Sequence, residues 1–145
     1  MWPVFVTFKG SMLVGTLRDF AMTFQLLVLI TAAAALILGV GWVFAGTVML
    51  KRWGHEPSEV ALVIGRRLGI VYLSLAMFCL IVRDTQSGEL IHVFSTFGMI
   101  VNAGLATMGS YELLKRRVGK AMLVSIIVEI LLVAAYGRFV MGAIA

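Results

Sequence analysis

Four long apolar runs, at about residues 20–50, 60–82, 90–114 and 121–142, are separated by three short polar breaks. A helix rises about 1.5 Å per residue, so roughly 20 apolar residues cross a hydrocarbon core of about 30 Å. Each run meets that length, and the pattern predicts four transmembrane helices. The first run, roughly 46 Å long as a helix, exceeds the core and must tilt or project. In the first break, Lys51–Glu59, Gly54 and Pro57 stop one helix and Ser58 can cap the next. The breaks Arg83–Glu89 and Lys115–Lys120 are too short to hold a fold of their own. Consecutive spans are therefore antiparallel, with spans two and three forming a hairpin. The expected fold is all-α: one transmembrane domain over residues 1–145, an up-down four-helix bundle.

Ahead of the first run, Trp2, Phe5 and Phe8 stand with Lys9, Arg18 and Asp19. This mixture suits a short interfacial segment at headgroup depth. The segment lacks the basic start and the cleavage pattern of a signal peptide, and is expected to be retained.

Composition agrees with the pattern. Apolar residues make up 61% and charged residues 13% of the chain, against about 45–50% and about 25% in soluble domains. A mean hydropathy of +1.05 over the chain leaves no room for an extramembrane enzyme module.

The net charge of +5 bears on topology rather than on nucleic acid. Lys51, Arg52, Arg66 and Arg67 gather at one break, and Lys115, Arg116, Arg117 and Lys120 at another. Lys9, Arg18, Arg83 and Arg138 fall on the opposite side. The positive-inside bias puts loops 51–59 and 115–120 in the cytoplasm and both termini outside, as in a bacterial inner membrane. The single cysteine, Cys79, excludes an internal disulfide and a cysteine metal cluster, and reads as a small buried hydrophobe.

Chemistry is sparse. Glu129 is a carboxylate inside the fourth run, where a charge costs roughly 2.5–3.5 kcal/mol on insertion scales. Arg67 lies about as deep in span two, measured from the same side, so an Arg67–Glu129 ion pair is expected to fix helix register. A carboxyl left alone there holds its proton instead. Asn102, near mid-membrane in span three, is a further expected partner. Seven-residue repeats predict packing or polar faces through Gln25, Ala32, Gly39 and Gly46, through Arg67 and Ser74, and through Ser95, Asn102 and Gly109, while Ser125, Glu129 and Tyr136 fall on one face of span four.

Toward the other surface, Gln25, His92, Tyr136 and Arg138 lie near span ends. His92 could ligate a haem or chlorophyll metal. Without a spaced partner, interfacial hydrogen bonding is the expected role, and no cofactor is expected. Tyr136 and Arg138 read as interface anchors. His55, beside Glu56 and Glu59, has no second histidine nearby and reads as a solvated loop residue rather than a metal ligand. No phosphate loop, Ser-His-Asp set, carboxylate pair or HExxH occurs, and the chain is not expected to be an enzyme.

The stretch Ala61–Asp84, with Arg67-Leu-Gly opening span two and Arg83-Asp84 closing it, resembles small bacterial four-span proteins of DoxX-like size. Asn102-Ala103 is similar to their third span. The resemblance covers about residues 60–110. It implies the four-helix layout and carries no activity.

The expected role is a non-catalytic membrane subunit or scaffold, or a small homo-oligomer, whose partners are the bilayer and other membrane subunits or copies of itself. A small proton-coupled transporter using Glu129 is the alternative, and pigment binding at His92 a third.

Overall fold

The computed structural model describes the backbone of residues 4–142 and the side chains of residues 24–142. It contains four helices: α1 (Val4–Arg52), α2 (Glu59–Val82), α3 (Gly88–Leu114) and α4 (Met122–Gly142). The last three begin and end within two residues of the expected spans. In all four helices a stretch is long and apolar enough to cross a membrane, in α1 from Phe24 onward. The protein is an integral membrane protein. The side chains that would decide the interfacial reading of Trp2, Phe5, Phe8, Lys9, Arg18 and Asp19 lie outside the described residues.

Local chemistry sets the helix ends. Ser58 caps α2, its hydroxyl accepting from the Ala61 N–H at 3.2 Å. Ser87 caps α3 in the same way, accepting from the Leu90 N–H at 3.3 Å. After α3, Arg116 takes a left-handed conformation (φ 55°), and the Arg117 N–H donates to the Glu112 carbonyl at 3.0 Å. This is the Schellman arrangement, with arginine where glycine is usual. Helix α1 is kinked at Ala45 (φ −126°, ψ 31°), immediately before Gly46.

The helices associate as two hairpins. Helix α1 packs along α2 and α3 along α4, while α1 touches α4 along a narrow seam. The hairpin expected from spans two and three is joined by its turn but is not packed along its length. Its rings meet close to the turn, where Phe78 and Phe94 have centroids 5.7 Å apart.

Close packing of α1 on α2 follows from glycines. A methyl group on Gly39 would lie 3.0 Å from the Gly69 carbonyl oxygen, and one on Gly69 would lie 2.9 Å from that of Gly39. Gly65 provides the floor for the Trp42 ring. Small residues let backbones approach and gain dispersion energy, the main attraction between helices in lipid.

The hairpins join at both ends. At the α2–α3 turn end, Phe24, Leu27, Val28 and Ala32 of α1 form a core with Cys79, Val82, Ile91, Phe94, Tyr136 and Phe139. At the opposite, basic end the two loops dock, the Gly119 N–H donating to the Trp53 carbonyl at 2.7 Å. Gly54 (φ +85°) makes this approach possible, because a side chain there would meet the Gly119 nitrogen at 3.2 Å. Trp53 also stacks edge-on against Trp42, at 5.1 Å between ring centroids.

Candidate functional site

Helix α4 turns Ser125, Ile126, Glu129 and Tyr136 toward the interior of the protein, as the spacing of these residues requires. Glu129 is half-buried, and its Oε2 is shielded from solvent with no hydrogen-bond partner. Tyr72 of α2 is also half-buried.

The expected Arg67–Glu129 pair does not form. Arg67 is exposed, and among the described residues the ion pairs are Arg83–Asp84 at 2.9 Å and Arg117–Glu112 at 3.5 Å. Depth along the helix was matched, but direction around it was not. At 100° per residue, Arg67 points about 140° away from Tyr72 and about 160° away from Gly65, the glycine beneath Trp42. Ser74 shares the Arg67 face. It too is exposed, and its hydroxyl turns back to the Ile70 carbonyl at 3.0 Å. The expected polar inner face of span two is therefore an outer face.

Asn102 lies on the inward stripe of α3 with Ser95, Ala106 and Gly109, as its spacing predicted. Its amide donates to the Gly98 carbonyl one turn back at 2.8 Å, and no hydrogen bond joins it to Glu129. Of the three residues expected to meet, two face inward with no hydrogen bond between them and the third faces outward.

At the turn end the residues divide differently. Gln25 donates to Asp84 at 3.4 Å, beside the Arg83–Asp84 pair. Arg138 is exposed. Tyr136, expected as an interface anchor, is instead 0% exposed, its ring lying over Gly98 and its hydroxyl 2.7 Å from Thr31 Oγ1. Thr31 uses its one proton on the Leu27 carbonyl at 3.0 Å, so Tyr136 is the donor in the bond between them. This relay crosses from α4 to α1. The sequence reading missed it, because a threonine inside an apolar run carries no signal of its partner.

His92 is half-buried with Nδ1 shielded and unpartnered, so the hydrogen bond expected of it is not made through that nitrogen. Ser95 Oγ and Thr96 Oγ1, one turn on, are shielded and unpartnered as well. Among the described residues, no three His, Cys, Asp or Glu side chains converge as a metal site. His55 is exposed in its loop, and Cys79 is buried in the aromatic core.

Glu129 can therefore hold a proton or accept a hydrogen bond from a group supplied by another molecule. Among the described residues no ion pair competes for it. No protein-family model matches this chain, nor does any curated protein or solved structure.

Proposed function

We propose that this protein is a non-catalytic membrane subunit that acts by packing against other membrane helices, from its own kind or another. The observation that carries this reading is Gly104. Elsewhere within the spans, Gly39, Gly65, Gly69, Gly98 and Gly109 each receive a side chain from a neighbouring helix. A methyl group on Gly104 would meet nothing within 4 Å. Gly104 lies in an open groove on the outer face of α3 with Ala103, Thr107, Met108 and Tyr111. The Thr107 hydroxyl is turned onto the Ala103 carbonyl at 2.7 Å, which leaves the groove apolar. Such a small-residue face suits close approach by another helix. In this reading the chain sits in a bacterial inner membrane with loops 51–59 and 115–120 cytoplasmic.

Leucine at Gly104 is the test. Its Cβ meets nothing within 4 Å and the groove is lined by α3 residues, so monomer stability is expected to hold. Association should weaken by about tenfold or more, since overfilling a packed contact costs about 1–3 kcal/mol. Size and co-purifying proteins are read in mild detergent by light scattering and mass spectrometry. A wild-type protein that is strictly monomeric and alone would end the proposal.

A second reading, proton-coupled transport, is favoured by the shielded, unpartnered Glu129 oxygen. Glu129→Gln is expected to abolish proton-driven flux in reconstituted vesicles. Stability should stay within about 1 kcal/mol, because no partner loses a bond. A variant that mainly loses stability would instead make the carboxyl structural.

A further inference from the structure

The outward direction of Arg66 and Arg67 leaves two guanidinium groups on the membrane-facing surface of α2, with no carboxylate partner among the described residues. They are the eighth and ninth residues of that helix, about 11–12 Å from its start. Val63 (54% exposed), Ile64 (61%), Ile70 and Val71 surround them on the open surface. Cations on an apolar surface at that depth are costly unless their heads reach the polar boundary or meet an anion there.

Chain direction brings these cations toward others. Side chains on a helix lean toward its N-terminus, so Arg66 and Arg67 lean toward the basic end. Lys51 and Arg52 close α1, which runs antiparallel to α2, so they lie at the same end. The Gly119–Trp53 hydrogen bond draws the second basic turn, with Lys115 and Lys120, to the same end. Eight of the chain's twelve cations gather there against Glu56, Glu59, Glu112 and, at the depth of Arg66, Glu129, so this end carries +4 of the net charge of +5.

We propose that Arg66 and Arg67 bind the phosphate headgroup of an anionic phospholipid, drawn to them by the positive charge of the basic end. Guanidinium groups hold phosphate oxygens in bidentate fashion. The exposed Val63, Ile64, Ile70 and Val71 give the acyl chains an apolar bed. A ligand that must satisfy both halves of this surface is an amphiphile, not a free phosphate.

The test uses the full chain purified in detergent with equal amounts of phosphatidylglycerol and phosphatidylcholine, and counts retained lipids by native mass spectrometry. Wild type is expected to retain phosphatidylglycerol preferentially. The double change Arg66→Gln, Arg67→Gln should reduce that preference by roughly fivefold for each arginine lost. Arg138→Gln, at an exposed position on the opposite end, should leave it unchanged. Glycerol phosphate at equal concentration should not displace the lipid, and complete displacement would show a free-phosphate site instead. Should the double glutamine variant fail to fold, the double lysine variant decides: it keeps charge but loses bidentate contact, so a reduced preference supports the site and an unchanged one overturns it. Equal phosphatidylglycerol retention by wild type and a folded double glutamine variant also overturns it.

Discussion

Tyr136→Ala is expected to destabilise the protein by about 3–5 kcal/mol, the range for truncating a buried aromatic residue. Tyr136 is fully buried where the two hairpins meet, its ring against Gly98 and about 6 Å from that of Phe94. Its hydroxyl supplies the bond to Thr31 that ties α4 to α1. Water cannot readily fill a cavity lined by Phe24, Phe94 and Phe139, so the lost contacts stay lost. Tyr136→Phe separates the two contributions. It keeps the ring, removes one interhelical hydrogen bond and is expected to cost about 0.6–1 kcal/mol. Reversible unfolding in mixed micelles measures both. An alanine variant no less stable than the phenylalanine variant would mean that the hairpins are not held together at this core.

Gly69→Val is expected to be nearly as severe, about 3 kcal/mol, by overpacking rather than by a cavity. The first added carbon would stand 2.9 Å from the Gly39 carbonyl oxygen, 3.0 Å from the Val43 nitrogen and 2.7 Å from a Val43 methyl. Two of these three neighbours are backbone, so no rotamer change relieves the contact and α1 must move away from α2. At Gly65 the neighbour is the Trp42 ring, a side chain that can turn, so substitution there should be milder. The fluorescence of Trp42, whose ring lies over Gly65 of α2, reports the separation of the hairpin, with Gly104→Val as a control of equal added volume. Equal stability of the Gly69 and Gly104 variants would refute backbone contact as the basis of α1–α2 packing.

The correction at Arg67 shows which part of the site could be read in advance. Depth is a count of residues from a helix end, and a sequence supplies that count. It placed Arg67 and Glu129 at one level. Direction also has a signature in span two, where Gly65 and Gly69 mark a small-residue face four residues apart. Using that face as the inner one would have turned Arg67 outward. On α3 and α4 the spacing of Ser95, Asn102 and Gly109, and of Ser125, Glu129 and Tyr136, selected the inward faces correctly. On α1 the stripe through Ala32, Gly39 and Gly46 did the same, with Gly39 against α2 and Gly46 beside Leu62.

What the sequence determined alone is the membrane layout: four apolar lengths, their up-down order, the serine that caps α2, and the gathering of positive charge at one end. These follow from hydropathy, chain length and local hydrogen bonding, none of which depends on which helix touches which. Tertiary structure decided the partners. It paired α1 with α2 and α3 with α4, sent Tyr136 to Thr31 rather than to the membrane surface, and left the Glu129 carboxyl without an ion pair. In lipid every apolar face is about equally well solvated, so hydrophobicity does not choose between helix faces, and close packing does.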